Sequence, residues 1–221
     1  MGGNKLVYYS RAVKRPFKDI PTLVIGIIIG LIPVVSLLTA GFGMKAAKAS
    51  LKNDAKLPKW NDWGFIIVKT LGFIGISVVY LIPAAIVFLI GLGSAAVGII
   101  TSPLSIGGIT AGSATVLGAI VIAAVLGVLA ILTIPMAAMH YLSTGKFSKA
   151  FALKEVARKA FSGKYIVAWL FSMVYFFILV LVMAVFSIVP VVGLAIGSGV
   201  FNFLGNTTSM TVYAEAYKEA K

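Results

Sequence analysis

The chain has 221 residues, of which 60% are hydrophobic and only 11% charged, with a formal net charge of +13. Soluble domains carry about 25% charged residues, so this chain cannot cover a water-facing surface with polar groups and needs lipid as its solvent. There is no cysteine and one histidine, His140, which excludes disulfides, thiolate chemistry and multi-histidine or cysteine metal centres; no metal and no cofactor is expected.

The charge falls into four clusters, at residues 5–19, 45–69, 146–164 and 215–221, with net charges of +4, +4, +5 and 0. Between them, residues 20–44, 70–145 and 165–214 hold no Asp, Glu, Lys or Arg. A charge at the bilayer centre costs about 2.5–3.5 kcal/mol on insertion scales, so the neutral blocks are the predicted membrane-embedded parts. The basic groups flank apolar runs, which assigns the positive excess to topology and not to nucleic-acid binding.

Residues 1–19 form a basic interfacial segment with no small-residue cleavage site after the first apolar run. Leu6 stands where a myristoylation motif needs Ser or Thr. Residues 20–44 are long enough for one span. A single span puts the basic N-terminal cluster outside, against the positive-inside rule. The alternative is a hairpin bent at Pro33 that enters and leaves on one side, and both readings stay open.

Residues 45–64 read as a basic cytoplasmic loop. Trp60 and Trp63 beside a span start are expected as interfacial anchors, and Asp62 as the cap of the helix that follows. Two crossings are placed at 65–91 and 115–141. The uncharged connector 92–114 reads as an external loop, a dipping segment or a short helix pair. Residues 147–161 suggest a surface helix, with Ala150, Leu153, Ala157, Ala160 and Phe161 on one face. Lys149, Arg158 and Lys159, together with Arg11, Lys14 and Arg15, are the expected contacts to anionic lipid headgroups. Residues 165–214 supply two further membrane segments around Pro190, and 215–221 form the tail.

A proline interrupts each main apolar run. Pro33, Pro83, Pro135 and Pro190 are the candidate helix breaks, although proline is also commoner in membrane helices than in soluble ones. In the last block Ser198, Asn202, Asn206, Ser209 and Tyr213 recur at helical steps, which puts them on one face. Such a stripe lines a polar passage or bonds neighbouring helices. Gly26 with Gly30 and Gly193 with Gly197 are spaced for close helix approach. His140, with no carboxylate near it in sequence, is a poor proton relay.

The fold expected from these features is an all-α polytopic membrane protein, a single domain over 1–221. It has four spans plus a proline-broken first segment, for five to six membrane segments in all. It is expected in the cell membrane with its basic loops cytoplasmic. No paired catalytic groups stand out. The leading functional expectation is a non-enzymatic scaffold or accessory protein contacting anionic lipid or a protein partner, including a second copy. The alternative is a small transporter or channel for a neutral or anionic solute.

Six short motifs occur in order along the chain: Arg15-Pro16-Phe17-Lys18-Asp19, Leu31-Ile32-Pro33-Val34-Val35, Leu57-Pro58-Lys59-Trp60-Asn61-Asp62-Trp63-Gly64, Tyr80-Leu81-Ile82-Pro83, Gly145-Lys146-Phe147-Ser148-Lys149-Ala150-Phe151 and Tyr213-Ala214-Glu215-Ala216-Tyr217-Lys218-Glu219. On these the sequence resembles an uncharacterised prokaryotic, largely archaeal, multi-pass membrane family, domain of unknown function 4013. The Leu57–Gly64 run is the most specific of them. The resemblance implies a membrane protein and brings no activity, substrate or catalytic residue. Asn often follows the first Ile-Pro-Val-Val run in such proteins, and here Ser36 does.

Overall fold

The computed structural model describes residues 5–101 and 106–220. Among them no strand occurs. Eight α-helices run in the order α1 (Lys5–Lys14), α2 (Ile20–Leu31), α3 (Leu37–Leu51), α4 (Trp63–Thr101), α5 (Ile106–Thr144), α6 (Leu153–Ala160), α7 (Gly163–Phe186) and α8 (Val192–Glu219). Short 3-10 turns at Arg15–Lys18 and Phe147–Phe151 join some of them. Backbone contacts separate the chain into two units, 1–74 with 135–221, and 75–134.

In the first unit, local chemistry places each boundary. Pro21 sits in the first turn of α2, where its missing N–H costs nothing. The Asp19 carboxylate accepts from the Thr22 hydroxyl at 2.6 Å beside that helix start. Pro33 disfavours helical geometry in the residue before it, and Ile32 is accordingly extended (φ −93°, ψ 118°). The chain turns over 32–36 and restarts as α3. Asp62 caps α4 as expected: its Oδ1 accepts from the Phe65 N–H at 3.3 Å. Ser162 caps α7 by accepting from the Tyr165 N–H.

α8 is the centre of this unit. α7 runs antiparallel to it: Tyr165 meets Tyr213, Phe176 meets Phe201, and Met183 meets Gly197. α2 is antiparallel too, with Gly26 against Phe203 and Gly30 against Gly199. α3 is parallel, with Thr39 at Asn206 and Ser50 at Lys218. Since α2 and α3 run in opposite senses along one helix, the first neutral block folds back on itself. Its later end packs beside Asn206 and Met210, in the C-terminal half of α8. Of the two sequence readings for residues 20–44, a single straight helix is the one the structure does not show.

Close approach here depends on glycine. A Cβ on Gly30 would stand 2.9 Å from the Gly199 Cα, and one on Gly199 would stand 2.5 Å from the Ile27 carbonyl oxygen. Within lipid, helices gain little from the hydrophobic effect and associate by such packing and by hydrogen bonds. Phe42 and Phe203, both fully buried, fill the space beyond the glycines, beside Ile66, Leu179 and Leu204.

The second unit consists of the later part of α4 and the earlier part of α5. Its side chains are largely exposed apolar groups, including Leu89, Ile90, Leu117 and Val121. Gly91 comes against Ala119, where a Cβ would clash. The connector 92–114 is not a long irregular loop: α4 continues to Thr101 and α5 begins at Ile106, while residues 102–105 lie outside the described residues.

Among the described residues, three helical stretches are long and apolar enough to cross a membrane: Trp63–Ser94, Ala114–Thr144 and Gly163–Phe186. The fourth expected span falls on α8. Its 28 residues suffice in length, at about 42 Å, but Asn202, Asn206, Thr207, Thr208, Ser209 and Thr211 make it too polar to count by composition. Most of α8 beyond Val200 is covered by protein.

Pro83 and Pro135 correct the expectation of four helix breaks. Both lie inside continuous helices. Only Pro33 and Pro190 fall where a helix ends, Pro190 in the turn between α7 and α8.

Candidate functional site at the charged end

The four charge clusters, far apart in sequence, meet at one end of the first unit. The first joins the second through Arg15, whose Nη2 donates to the carbonyls of Asp54 (3.2 Å) and Lys56 (2.7 Å). The second joins the fourth through Lys218, which donates to the Ser50 carbonyl and the Asn53 side chain, both at 2.9 Å. The third joins the fourth through Lys159, which donates to the carbonyls of Tyr217 and Ala220, and through the Lys164–Glu219 ion pair at 3.3 Å.

Arg15 is not a surface cation facing headgroups. It is only 2% exposed. Its Nη1 donates to the Ala46 carbonyl (3.0 Å), the Ser50 hydroxyl (2.6 Å) and the Thr211 hydroxyl (3.0 Å), and its Nε to the Lys56 carbonyl (3.2 Å). The planar guanidinium thus ties the N-terminal segment to α3, the following loop and α8, a geometry an ammonium does not reproduce. Burial pulls its pKa below the ordinary value, and Asp54 and Glu215 oppose that pull.

The other expected headgroup contacts divide. Lys149 and Arg158 are exposed. Lys159 is half-buried: it covers the C-terminal carbonyls of α8 and lies 4.3 Å from the Tyr217 ring centroid, a favourable place for a cation. Arg11 lines a pocket with Arg15 and Lys218, and Lys14 is exposed. The surface helix expected over 147–161 is instead a 3-10 turn followed by α6. Val156 and Ala160 are its buried positions, and Leu153 and Phe161 point outward.

Trp60 is half-buried and stacks on Phe42 at 4.3 Å, while its Nε1 donates to the Thr22 carbonyl at 3.0 Å. Trp63 stays 44% exposed and stacks on Trp60. Lys45 donates to the Asn61 side chain at 2.6 Å and to the Lys59 carbonyl at 3.1 Å, which holds the loop in place.

The polar stripe of α8 is used between helices. Asn202 Nδ2 donates to the Gly30 carbonyl (3.3 Å), and Asn206 Nδ2 to the Thr39 hydroxyl (2.9 Å) and the Asn202 carbonyl (2.9 Å). Ser198 bonds the Ala195 carbonyl within α8. Tyr213 is buried against Tyr165. The Ser209 hydroxyl is buried without a hydrogen-bond partner.

One cluster was not legible in the sequence. His140 is buried, and its Nδ1 lies 2.7 Å from the Tyr217 hydroxyl, which also meets the Ser143 hydroxyl at 2.9 Å. The missing carboxylate is Glu155, whose Oε2 stands 3.0 Å from His140 Nε2. That contact has the distance of an ion pair without the alignment of a hydrogen bond. Gly145, directly after α5, has a positive φ of 73°, and the chain beyond it brings Glu155 back to His140.

The model of a family described as "Protein of unknown function (DUF4013)" matches residues 24–188, well over half of the chain. The chain belongs to this family. No curated protein and no solved structure matches it. The DUF4013 match contains most of α2, all of α3 to α7, the Trp60–Trp63 loop and the His140–Glu155 pair. It leaves out Arg15 and all of α8, including the asparagines that bond the hairpin.

Proposed function

We propose that this DUF4013 protein is a non-enzymatic membrane scaffold that gathers anionic lipid at its charged end and holds the α2–α3 hairpin in one face of the bilayer as a wedge. The observation that carries this reading is the fold-back of α2 and α3 along α8. It puts the basic clusters at the open end of the hairpin and apolar groups at its tip, where Val34 is 78% exposed. The outer face of α2 carries exposed Ile20, Val24, Ile25 and Ile28, as a lipid-facing helix should. The charged end faces the cytoplasm in this reading, since basic flanks stay on that side.

A transport role has less support. Asn202 and Asn206, the side chains expected to line a passage, are engaged with α2 and α3.

The test is lipid selectivity of the full chain in mixed bilayers, read by quenching of Trp63 with labelled anionic or neutral lipid. The account expects enrichment of anionic lipid that weakens with added salt, because surface charges are screened over about 8 Å at physiological ionic strength. Equal quenching by both lipids removes the reading.

A further inference from the structure

We infer that the pocket between α3, the end of α5, α6 and the end of α8 is a binding site for a phosphate-bearing anion. The inference deepens the scaffold reading and rests on it for the lipid as one source of that phosphate; a free phosphate ester is the other.

The pocket has a volume of about 380 Å³. Lys48, Lys52, Lys159 and Lys218 line it together with the hydroxyl-bearing Ser143 and Tyr217, and among the described residues no carboxylate does. Glu215 offsets Lys218 from outside the lining, at 2.7 Å. That leaves three cations facing one cavity. Lys159 is anchored by two carbonyls. Lys48 rests over the Phe65 ring at 4.6 Å, and Lys52 is exposed; among the described residues neither pairs with a carboxylate.

Cations gathered without a counter-charge repel one another, and that cost is relieved when an anion enters. Of the protein's six acidic residues, Asp54 shares a neighbouring pocket with Lys48 and Lys52, and among the described residues none lines this one. Burial, then Arg158, pull the Lys159 pKa below its ordinary value, and a bound anion acts in the opposite direction.

Three features select phosphate. It carries more charge than a carboxylate and accepts from several ammonium groups at once. The hydroxyls of Ser143 and Tyr217 stand at the wall as further partners. Leu51 and Leu142 complete the lining and give the ester's carbon stem an apolar surface. The pocket opens to solvent, which leaves room for an ester's stem beside the phosphate.

The experiment uses the full chain in neutral phosphatidylcholine nanodiscs. Titration with short-chain phosphatidic acid and with inorganic pyrophosphate is followed by calorimetry. Saturable binding of one equivalent is expected. Lys48→Gln with Lys52→Gln should weaken it roughly tenfold or more, given about 1 kcal/mol per lysine near a charged surface. Lys52→Gln alone, at an exposed position that leaves packing intact, should weaken it about fivefold. Lys146→Gln with Lys154→Gln, exposed positions that do not line the pocket, should leave it unchanged. Displacement of the lipid by pyrophosphate at equal affinity identifies a soluble phosphate as the ligand; binding of the lipid alone identifies a headgroup; either keeps the site.

Non-saturable uptake, or loss of binding in the Lys146/Lys154 variant and not in the Lys48/Lys52 variant, overturns the pocket and leaves the scaffold reading standing. Saturable pyrophosphate binding without any preference for anionic lipid keeps the pocket and removes the scaffold reading.

Discussion

The side-chain amide of Asn206 donates to the hydroxyl of Thr39 across 2.9 Å, joining α8 to the return arm of the hairpin. One turn earlier, Asn202 reaches the Gly30 carbonyl near the end of α2. The last carbonyls of a helix have no partner inside it, and at membrane depth such groups must be satisfied by protein. Asn202 therefore satisfies a carbonyl at the broken end of α2, while Asn206 ties α8 to the return arm. Asn206→Leu should lower the stability of the full chain in mild detergent by about 0.6–2 kcal/mol, the range for such bonds between membrane helices. Asn202→Leu should act in the same direction. Thermal unfolding measures both, and no loss in either variant contradicts the assignment.

Gly30 and Gly199 set the distance between α2 and α8. Gly30→Ala places a methyl group against backbone, which cannot rotate away, and overpacking of this kind costs about 1–3 kcal/mol. Gly127→Ala is the control, because nothing lies within 4 Å of its added Cβ. It should leave stability unchanged or raise it by up to about 1 kcal/mol through helix propensity. Equal effects of the two substitutions on the unfolding midpoint count against close packing at Gly30.

Arg15 holds the charged end together. Arg15→Met leaves the carbonyls of Ala46, Asp54 and Lys56 without their donor and should destabilise by about 2–3 kcal/mol, the scale of hydrogen bonds to charged groups. Arg15→Lys should recover less than half of the loss, since one ammonium cannot reproduce the planar fork. Full recovery by lysine in denaturant unfolding means that charge alone matters there.

Tyr217→Phe removes the hydroxyl shared by His140 and Ser143. The ring stays, and with it the contact to Lys159, so the loss is that of hydrogen bonds, about 1–3 kcal/mol for the buried group left unsatisfied. Glu155→Gln tests the ion-pair character of the His140 contact: a variant as stable as the parent at every pH assigns that contact no weight.

The sequence showed its helices through charge. Lysine-free apolar blocks between basic clusters leave little else for the chain to be, and the Asp62 cap was readable from its place before an apolar run. The prolines show where such reading stops. Ile32-Pro33 and Ile82-Pro83 look alike, yet α2 ends at the first while α4 continues through the second. A proline removes one backbone bond in either case. At Pro33 the chain turns back onto α8, where Asn202 and Gly199 receive it. That partner is some 170 residues away, and no local pattern announces it.

Arg15 was misread for a related reason. Among five neighbouring cations nothing distinguishes the buried one until α3 and α8 supply its acceptors. His140 and Glu155 were likewise unrelated in sequence, because the chain beyond Gly145 brings them together. The polar stripe on α8 was legible as a stripe, but its purpose depended on finding α2 and α3 beside it.

The fold-back of the first neutral block is the central claim, and single cysteines test it directly, since the natural chain has none. Ser10, Ala55 and Ser148 are exposed positions before the hairpin, after it and in the third charged cluster. Each is replaced by cysteine and treated with a membrane-impermeant thiol reagent in intact and in permeabilised cells. The account predicts one shared pattern, with all three labelled only after permeabilisation. Labelling of Ser10→Cys in intact cells while Ala55→Cys stays protected would make the block a single crossing and contradict the account.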